Sequence, residues 1–258
     1  EHGIRGAESL RDAAFVEDLC QKTGVFCRVV HVDAPAFARQ HGIGLEEAAR
    51  KLRYQAFDQI AGEEHADRIA VAHHMEDNAE TMLFHLARGT GPTGLAGIPP
   101  VRGRIIRPLL CISRDEIEKW LSEKGQAWCL DETNADVSLS RNLIRAEILP
   151  KLKELNPSAV YHMAETAELL RKTTAFLDNA AKEASDKAES GGVLEVRTLC
   201  NADPAIVEHL IYRTLQRVAG STKDFTREHV KSVCALIKKD VGKKVSLPYS
   251  MVAERTYD

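Results

Sequence analysis

Three residues in one stretch carry types and spacings that could do chemistry. His73, Asp77 and Glu80 stand at i, i+4 and i+7 within Asp67–Pro100, DRIAVAHHMEDNAETMLFHLARGTGPTGLAGIPP. If a helix already runs at His73, all three project from one face. If it starts nearer Asp77, the two carboxylates still share a face and His73 lies at the carboxyl end of the preceding strand. Both geometries put the group where open α/β sheets bind ligands. Two carboxylates one helical turn apart suit a magnesium ion that also holds phosphate oxygens. The same two residues in a first helical turn also stabilise the helix dipole with no catalytic role. Spacing alone leaves both readings open. Zinc would call for more histidine and cysteine than the stretch supplies.

The elements that must position these residues can be read from pattern. Arg68–Ala72 is an apolar run too short for a helix and predicts a buried strand. A helix over Asp77–Leu86 follows, with Ala79, Met82, Leu83 and Leu86 at helical spacing and Gly89 where a left-handed cap would fall. Strand then helix is half of a βαβ unit. Upstream, the spacing predicts a helix over Ala7–Thr23, with Ala14, Phe15, Leu19 and Cys20 inward and Gly24 as its stop. Phe26–Asp33, FCRVVHVD, reads as a strand by its β-branched content. A βα unit normally opens with a strand, so a first strand is expected before Glu1. Asp33–Gly42, with Pro35, reads as a loop. Leu45–Ile60 is a helix whose stripe is Leu45, Ala48, Ala49, Leu52, Ala56 and Ile60; Arg50 and Arg53 lie one turn apart on a solvated charged face, supported by Glu46–Arg50 pairing.

Downstream, Arg104–Arg107 predicts a strand ended by Pro108, and Ser113 with Glu116 forms a capping box for a helix running to about Lys124. Arg102, Arg104, Arg107 and Arg114 make a candidate phosphate-contacting patch. Turn chemistry covers Asp131–Asp136, and a helix from about Ser140 carries Arg141 and Arg145 at i, i+4, with Pro150 either closing it or beginning another turn. Asn156-Pro157 marks a boundary. Beyond it come a long helix over Ser158–Ser190, a short strand or extended piece over Val193–Cys200, helices over Ala205–Ala219 and Thr226–Lys239, and strands at Val245–Leu247 and Met251–Arg255. Asp203 and Pro204 are cap and first turn of the Ala205 helix. The expected organisation is a domain over 1–155, a connector helix over 156–190 and a mainly helical domain over 191–258.

Composition bounds the rest. The chain has 258 residues, 44% hydrophobic and 28% charged, as in ordinary globular proteins. No apolar run approaches a membrane span. The six cysteines are scattered, without the C-x-x-C spacing of zinc or iron–sulfur sites, and suit a reducing cytoplasm. A net charge of −3 excludes a uniformly basic coat but not a local basic patch.

HGIRGAESLRDAAFV, LEEAARKLRYQAF, the long VAHHMEDNAETMLFHLARGTGPTGLAGIPP motif, IIRPLL and DETNADVSLSRNLIRAEILPKL, in that order, resemble the tRNA(Ile)-lysidine synthases of the PP-loop ATP pyrophosphatase superfamily. They cover most of Glu1–Leu152. The resemblance implies an α/β, Rossmann-like, parallel-sheet ATPase domain followed by a mainly helical, tRNA-binding second domain. It also implies a phosphate-gripping Ser-Gly-Gly-x-Asp-Ser loop and first strand ahead of Glu1 and a further domain after Asp258. The sequence as given is therefore expected to be trimmed at both ends and inactive alone.

For the intact protein the resemblance implies a ligase. ATP adenylylates C2–O of the wobble cytidine of tRNA(Ile) with a CAU anticodon, and free L-lysine then displaces AMP to give lysidine. ATP and Mg²⁺ are the implied cofactors, and a homodimer stays open as the assembly. Asp77 and Glu80 match positions for Mg²⁺ or the lysine amine. His73 matches a position at the same site, and Arg53 and Arg145 match arginines that reach phosphate or the activated cytidine. Arg141, His2 and Arg5 match binding positions, and the Gly89–Gly97 loop, with Gly91 and Gly94, is either a hinge near lysine or nucleotide or a plain connection. Two other readings are weighed. A 2-thiocytidine synthase would carry paired cysteines for a cluster; a non-catalytic tRNA- or nucleotide-binding relative would leave the Asp77–Glu80 pair idle.

Overall fold

The computed structural model describes residues 1–4, 6–129, 140–190, 193–221 and 224–257. The chain forms two compact units, one of Glu1–Thr90 with Gly97–Glu165 and one of Gly91–Ala96 with Thr166–Asp258.

The first unit opens with α1 (Ala7–Thr23), stopped by Gly24 in the left-handed conformation. No residue of α1 is fully buried; of the four residues expected inward Ala14 is exposed and Phe15, Leu19 and Cys20 are half-buried. Residues 26–33 are extended but form no ladder, contrary to the expected strand. Their backbone pairing comes from Glu1, whose amine donates to the Val30 carbonyl (2.9 Å) and whose carbonyl accepts from Val32 N–H (2.9 Å). That is the pattern of a single parallel bridge. The expected loop after it is instead a helix, α2 (Ala34–His41). Asp33 caps it by accepting from Ala36 N–H (2.8 Å), Pro35 sits in its first turn, and Gly42 closes it at positive φ. Helix α3 (Leu45–Glu63) buries Ala48, Ala49 and Ala61, while Leu45, expected in the stripe, is exposed.

Strand β1 (Ile69–Ala70) runs parallel to β3 (Ile105–Ile106), which pairs antiparallel with β2 (Val101–Arg102). The sheet is therefore mixed in the order β1-β3-β2, with an antiparallel edge that the sequence did not signal. Helix α4 (Met75–Arg88) links the parallel pair, followed by α5 (Pro92–Leu95) in the second unit. After a 3₁₀ turn at Pro108–Cys111, α6 (Arg114–Glu123) starts at the capping box read from sequence: Glu116 accepts from Ser113 N–H (2.8 Å) and Ser113 Oγ from Glu116 N–H (3.2 Å). The expected turn at Asp131–Asp136 lies outside the described residues.

From Ser140 the chain winds as α7 (Ser140–Leu143), a π-helical turn (Ile144–Ile148) and α8 (Leu149–Leu155). Pro150 has no N–H to give the carbonyl four residues back, and its ring crowds that carbonyl. The turn before it widens, and Leu149 N–H reaches back to Ile144 O. The core of this part joins Met75 and Ala79 of α4 to Ile144, Leu149 and Val160, flanked by Leu83, Phe84 and Leu152. Leu86, expected in the stripe, is exposed.

Helix α9 (Ala159–Ala188) runs 30 residues and contributes to both units. In the second unit a short hairpin, β4 (Glu189–Ser190) with β5 (Val193–Leu194), precedes α10 (Val196–Asn201). The strand expected over Val193–Cys200 is thus two residues long and then becomes helix. Helix α11 (Pro204–Ala219) is capped by Asp203, which accepts from Ala205 N–H (2.8 Å), and is followed by α12 (Arg227–Leu236) and the hairpin β6 (Lys244–Ser246) with β7 (Val252–Glu254). Its core gathers Ala181, Leu199, Val207, Leu210, Ile211, Leu215, Val230 and Leu247.

Candidate active site

The start of α4 sets the geometry. His74 N–H donates to Asp77 Oδ2 (2.9 Å), so the helix begins at Met75 and not at His73. His73 lies in the unpaired stretch between β1 and α4, at the carboxyl end of the strand. Asp77 and Glu80 share a face of α4. The π-helical turn presents Arg145 to both. Arg145 Nε donates to Glu80 Oε1 (2.6 Å), and its Nη2 to Glu80 Oε2 (3.0 Å) and Asp77 Oδ1 (3.3 Å). The Glu80 side chain is 4% exposed, Asp77 21% and Arg145 31%. Burial pushes the Glu80 carboxyl above its ordinary value even though the Arg145 fork draws it down.

His73 is half-buried, with Nδ1 sealed from solvent and without a hydrogen-bond partner. Burial lowers its pKa; Asp77 opposes this, while the charges of Arg107, Arg50 and Arg141 add to it. A neutral imidazole with an open nitrogen beside a carboxylate can take or give a proton.

A third acid, absent from the sequence-based set, organises the opposite side of the same turn. Glu76 is 7% exposed. It accepts from Arg114 N–H at the head of α6 (2.8 Å), contacts His74 Nδ1 (3.2 Å) and receives Lys153 Nζ of α8 (3.3 Å). Burial alone would raise its pKa; the His74, Arg114 and Lys153 contacts outweigh that and bring the carboxyl to about 2. Glu76 is thus a clasp drawing α6 and α8 onto the start of α4. The partners lie 38 and 77 positions away, so only the excess of acids at the helix start could have signalled it. Asn78 is a second such support. Its Oδ1 accepts from Ile98 N–H (2.7 Å), and a Cβ on Gly97 would collide with that oxygen.

Arg53 Nε reaches His2 Nε2 (3.4 Å), so these two expected residues meet. Arg141 stays on the periphery, 3.8 Å from Glu46 and 6.0 Å above the Phe84 ring. Gly91 precedes α5 and Gly94 lies within it, both in the second unit. Arg5 lies outside the described residues. The arginine patch read from sequence divides: Arg104 donates to the Ala61 and Ala66 carbonyls and Arg114 pairs with Glu118 (2.7 Å), both holding helices in place. Among the described residues no three His, Cys, Asp or Glu side chains group closely enough to cage a metal. Asp77 and Glu80, with Asp77 partly open, its Oδ2 on the His74 N–H and its Oδ1 on the longer arm of the Arg145 fork, fit a Mg²⁺ that shares its shell with phosphate oxygens and water. All six cysteines are free thiols. No helix among the described residues is long and apolar enough to cross a membrane.

Comparison with known proteins gives the family and the fold. Residues 1–152 match the family model of the PP-loop domain. The chain is 37% identical to the tRNA(Ile)-lysidine synthase of Bacteroides thetaiotaomicron over 98% of its own length and 58% of the relative's. It is 42% identical to that of Porphyromonas gingivalis strain W83, over 93% of its own length and 51% of the relative's. The chain thus spans about half the length of the curated relatives it matches. In fold it resembles the U34-tRNA thiolase NcsA of Methanococcus maripaludis, solved with its 4Fe-4S cluster, at a TM-score of 0.52 and 19% identity over 66% of this chain and 60% of that one. With more than half its residues matched by the family model and a parallel β1–β3 pair presenting the acidic face of α4, the chain belongs to the PP-loop domain family.

Proposed function

We propose that the protein containing this chain is a tRNA(Ile)-lysidine synthase, using ATP to join L-lysine to C2 of the wobble cytidine of a CAU-anticodon tRNA(Ile). The observation that carries the reading is the Arg145 fork closed over Asp77 and Glu80 at the carboxyl end of β1. The relatives' names support it.

In the first step the cytidine O2 attacks the α-phosphorus of ATP. An O–P bond forms, the α–β bridge breaks and pyrophosphate leaves. In the second, the lysine amine attacks C2, AMP leaves with the C2 oxygen, and the amine loses its proton. Mg²⁺ held by Asp77 and Glu80 with phosphate oxygens would neutralise the charge on the leaving pyrophosphate. Arg145, released from part of its fork, and Arg53 offer planar guanidiniums to the same charge or to the adenylylated cytidine. Asp77, the more open of the two carboxylates, orients the lysine ammonium, which must give up a proton before its nitrogen can attack C2. His73, held neutral by burial, accepts the proton that the amine gives up.

The test is incubation of the intact protein with labelled lysine, ATP and the CAU-anticodon tRNA(Ile). Label enters the tRNA, and Asp77→Ala and Glu80→Ala each abolish incorporation while circular dichroism stays native. Full incorporation by either variant removes the site assignment.

A further inference from the structure

Arginines from three separate segments of the chain meet at one aromatic ring. Arg50 of α3 holds its guanidinium carbon 5.1 Å from the centre of the Tyr54 ring, and Arg102 of β2 lies 5.6 Å from the same centre. Arg107, two residues past Ile105, is 5% exposed and sits beside the Tyr54 hydroxyl. One arm of its guanidinium donates to the Pro99 carbonyl (2.6 Å), and its Nε is buried with no partner. Among the described residues none of the three makes an ion pair. His73, whose Nδ1 is likewise buried and unpartnered, feels the charges of Arg107, Arg50 and Arg141 as well as Asp77, and the 3₁₀ turn that follows Arg107 packs against α4, which carries the acidic pair.

A guanidinium taken out of water normally finds a carboxylate, because an unpaired buried charge is costly. Here a buried one faces two further cations and keeps a donor unused. Contact with the Tyr54 ring engages the guanidiniums of Arg50 and Arg102 without an anion taking up their N–H groups. Converging N–H forks with no anion of their own are the donor set that planar recognition of phosphate requires. We propose that Arg50, Arg102 and Arg107, gathered around Tyr54, form a phosphate-binding subsite beside the Asp77–Glu80–Arg145 group. The oxyanion it takes is a phosphodiester of the RNA strand next to the modified nucleotide or a phosphate of the bound nucleotide. The identification of those two sources rests on the proposed function; the phosphate chemistry rests on the arginines alone.

The test uses the intact protein and the exposed pair, Arg50→Ala/Arg102→Ala, which leaves buried Arg107 in place, with Arg107→Lys as a second variant and Lys22→Ala as a control for net charge. Three probes are titrated: an anticodon stem-loop RNA by fluorescence anisotropy across a KCl series, a non-hydrolysable ATP analogue, and inorganic tripolyphosphate. The double variant is expected to weaken one of these phosphates tenfold or more, and the control less than twofold. If RNA is the source, the slope of log K against log salt shrinks by about 0.7 for each single-strand phosphate that the variant no longer neutralises, and the ATP analogue is unaffected. If the nucleotide is the source, the analogue and tripolyphosphate weaken and RNA does not. Binding of all three within twofold of wild type in both variants overturns the subsite. Arginine-dependent tripolyphosphate binding in a protein that incorporates no lysine keeps the subsite and rejects the proposed function.

Discussion

Replacing Arg145 with methionine tests the central contact while keeping side-chain volume and helix propensity. In the native chain the guanidinium makes a two-pronged bond to Glu80 (2.6 and 3.0 Å) and a longer one to Asp77 (3.3 Å). Glu80 is 4% exposed, so its charge cannot be taken over by water. Breaking a buried pair by removing one partner costs about 3–5 kcal/mol. Arg145 itself is nearly one-third exposed, which favours the low end, about 3 kcal/mol, or roughly 6–12 °C in Tm for a unit of this size. The pH dependence fixes the cause. Burial already raises the Glu80 pKa in the folded state. Such a group stabilises fully below its unfolded value, and the contribution is lost as pH rises through the folded value. Without Arg145 the folded value climbs further. The penalty should therefore be greatest at pH 8 and shrink on acidification, by about 1.4 kcal/mol per pH unit between the wild-type and variant values. Urea unfolding at pH 5 and pH 8 measures it, and Glu80→Gln completes a cycle. The double variant should lose about 2 kcal/mol less than the sum of the singles. A penalty flat with pH, or additivity within about 0.5 kcal/mol, would refute the buried-pair account.

Other substitutions probe the supports. Gly97→Ala drives a Cβ into Asn78 Oδ1 at a φ of +69°, and should cost about 2–4 kcal/mol of strain and overpacking, read as a fall in Tm; a change under about 1 kcal/mol would mean that the Asn78–Ile98 clasp yields freely. Glu76→Gln addresses a carboxyl depressed to about 2, whose stabilisation is present above the unfolded value near 4.5 and fades as pH falls toward 2. The variant should lose about 2–3 kcal/mol at pH 7 and show a flatter acid-unfolding curve over that window, and an unchanged curve would sink the clasp. Asp203→Ala removes the α11 cap and should cost about 1 kcal/mol by urea titration of the second unit.

What could be read from the sequence follows from how local each determinant is. Helix α4 was legible because its stripe lies within a few residues, as was the Ser113–Glu116 box of α6, although Gly89 closes α4 at φ 77° and ψ 120° and not in the left-handed helical region expected. Helix α2 was equally local, with Asp33, Pro35 and Gly42 all in place. Reading Pro35 as a breaker hides it, because proline in a first turn favours a helix. Phe26–Asp33 and Val193–Cys200 failed for a different reason. Their residues favour extension, but a strand exists only where a neighbour supplies its hydrogen bonds. Among the described residues the backbone of the first segment pairs across the chain with Glu1 alone, and the second turns helical at Val196. The candidate site divides along the same line. The residue types on α4 could be named from spacing, and the resemblance added Arg145. The pairing could not be read, because Arg145 stands 65 positions from Glu80 and reaches it through a widened turn set by Pro150. Glu76 shows the cost of reasoning from types alone. It sits one residue from Asp77 on the same helix, yet the chain folds α6 and α8 onto it and makes it a clasp, while Arg145 takes the two acids on the other face. An acid already satisfied by three partners has little capacity left for a substrate. Glu80, held by the Arg145 fork, and Asp77, whose Oδ2 caps α4 while its Oδ1 meets only the long arm of that fork, keep more of it, and that asymmetry, more than the spacing, makes Asp77 and Glu80 the residues to mutate.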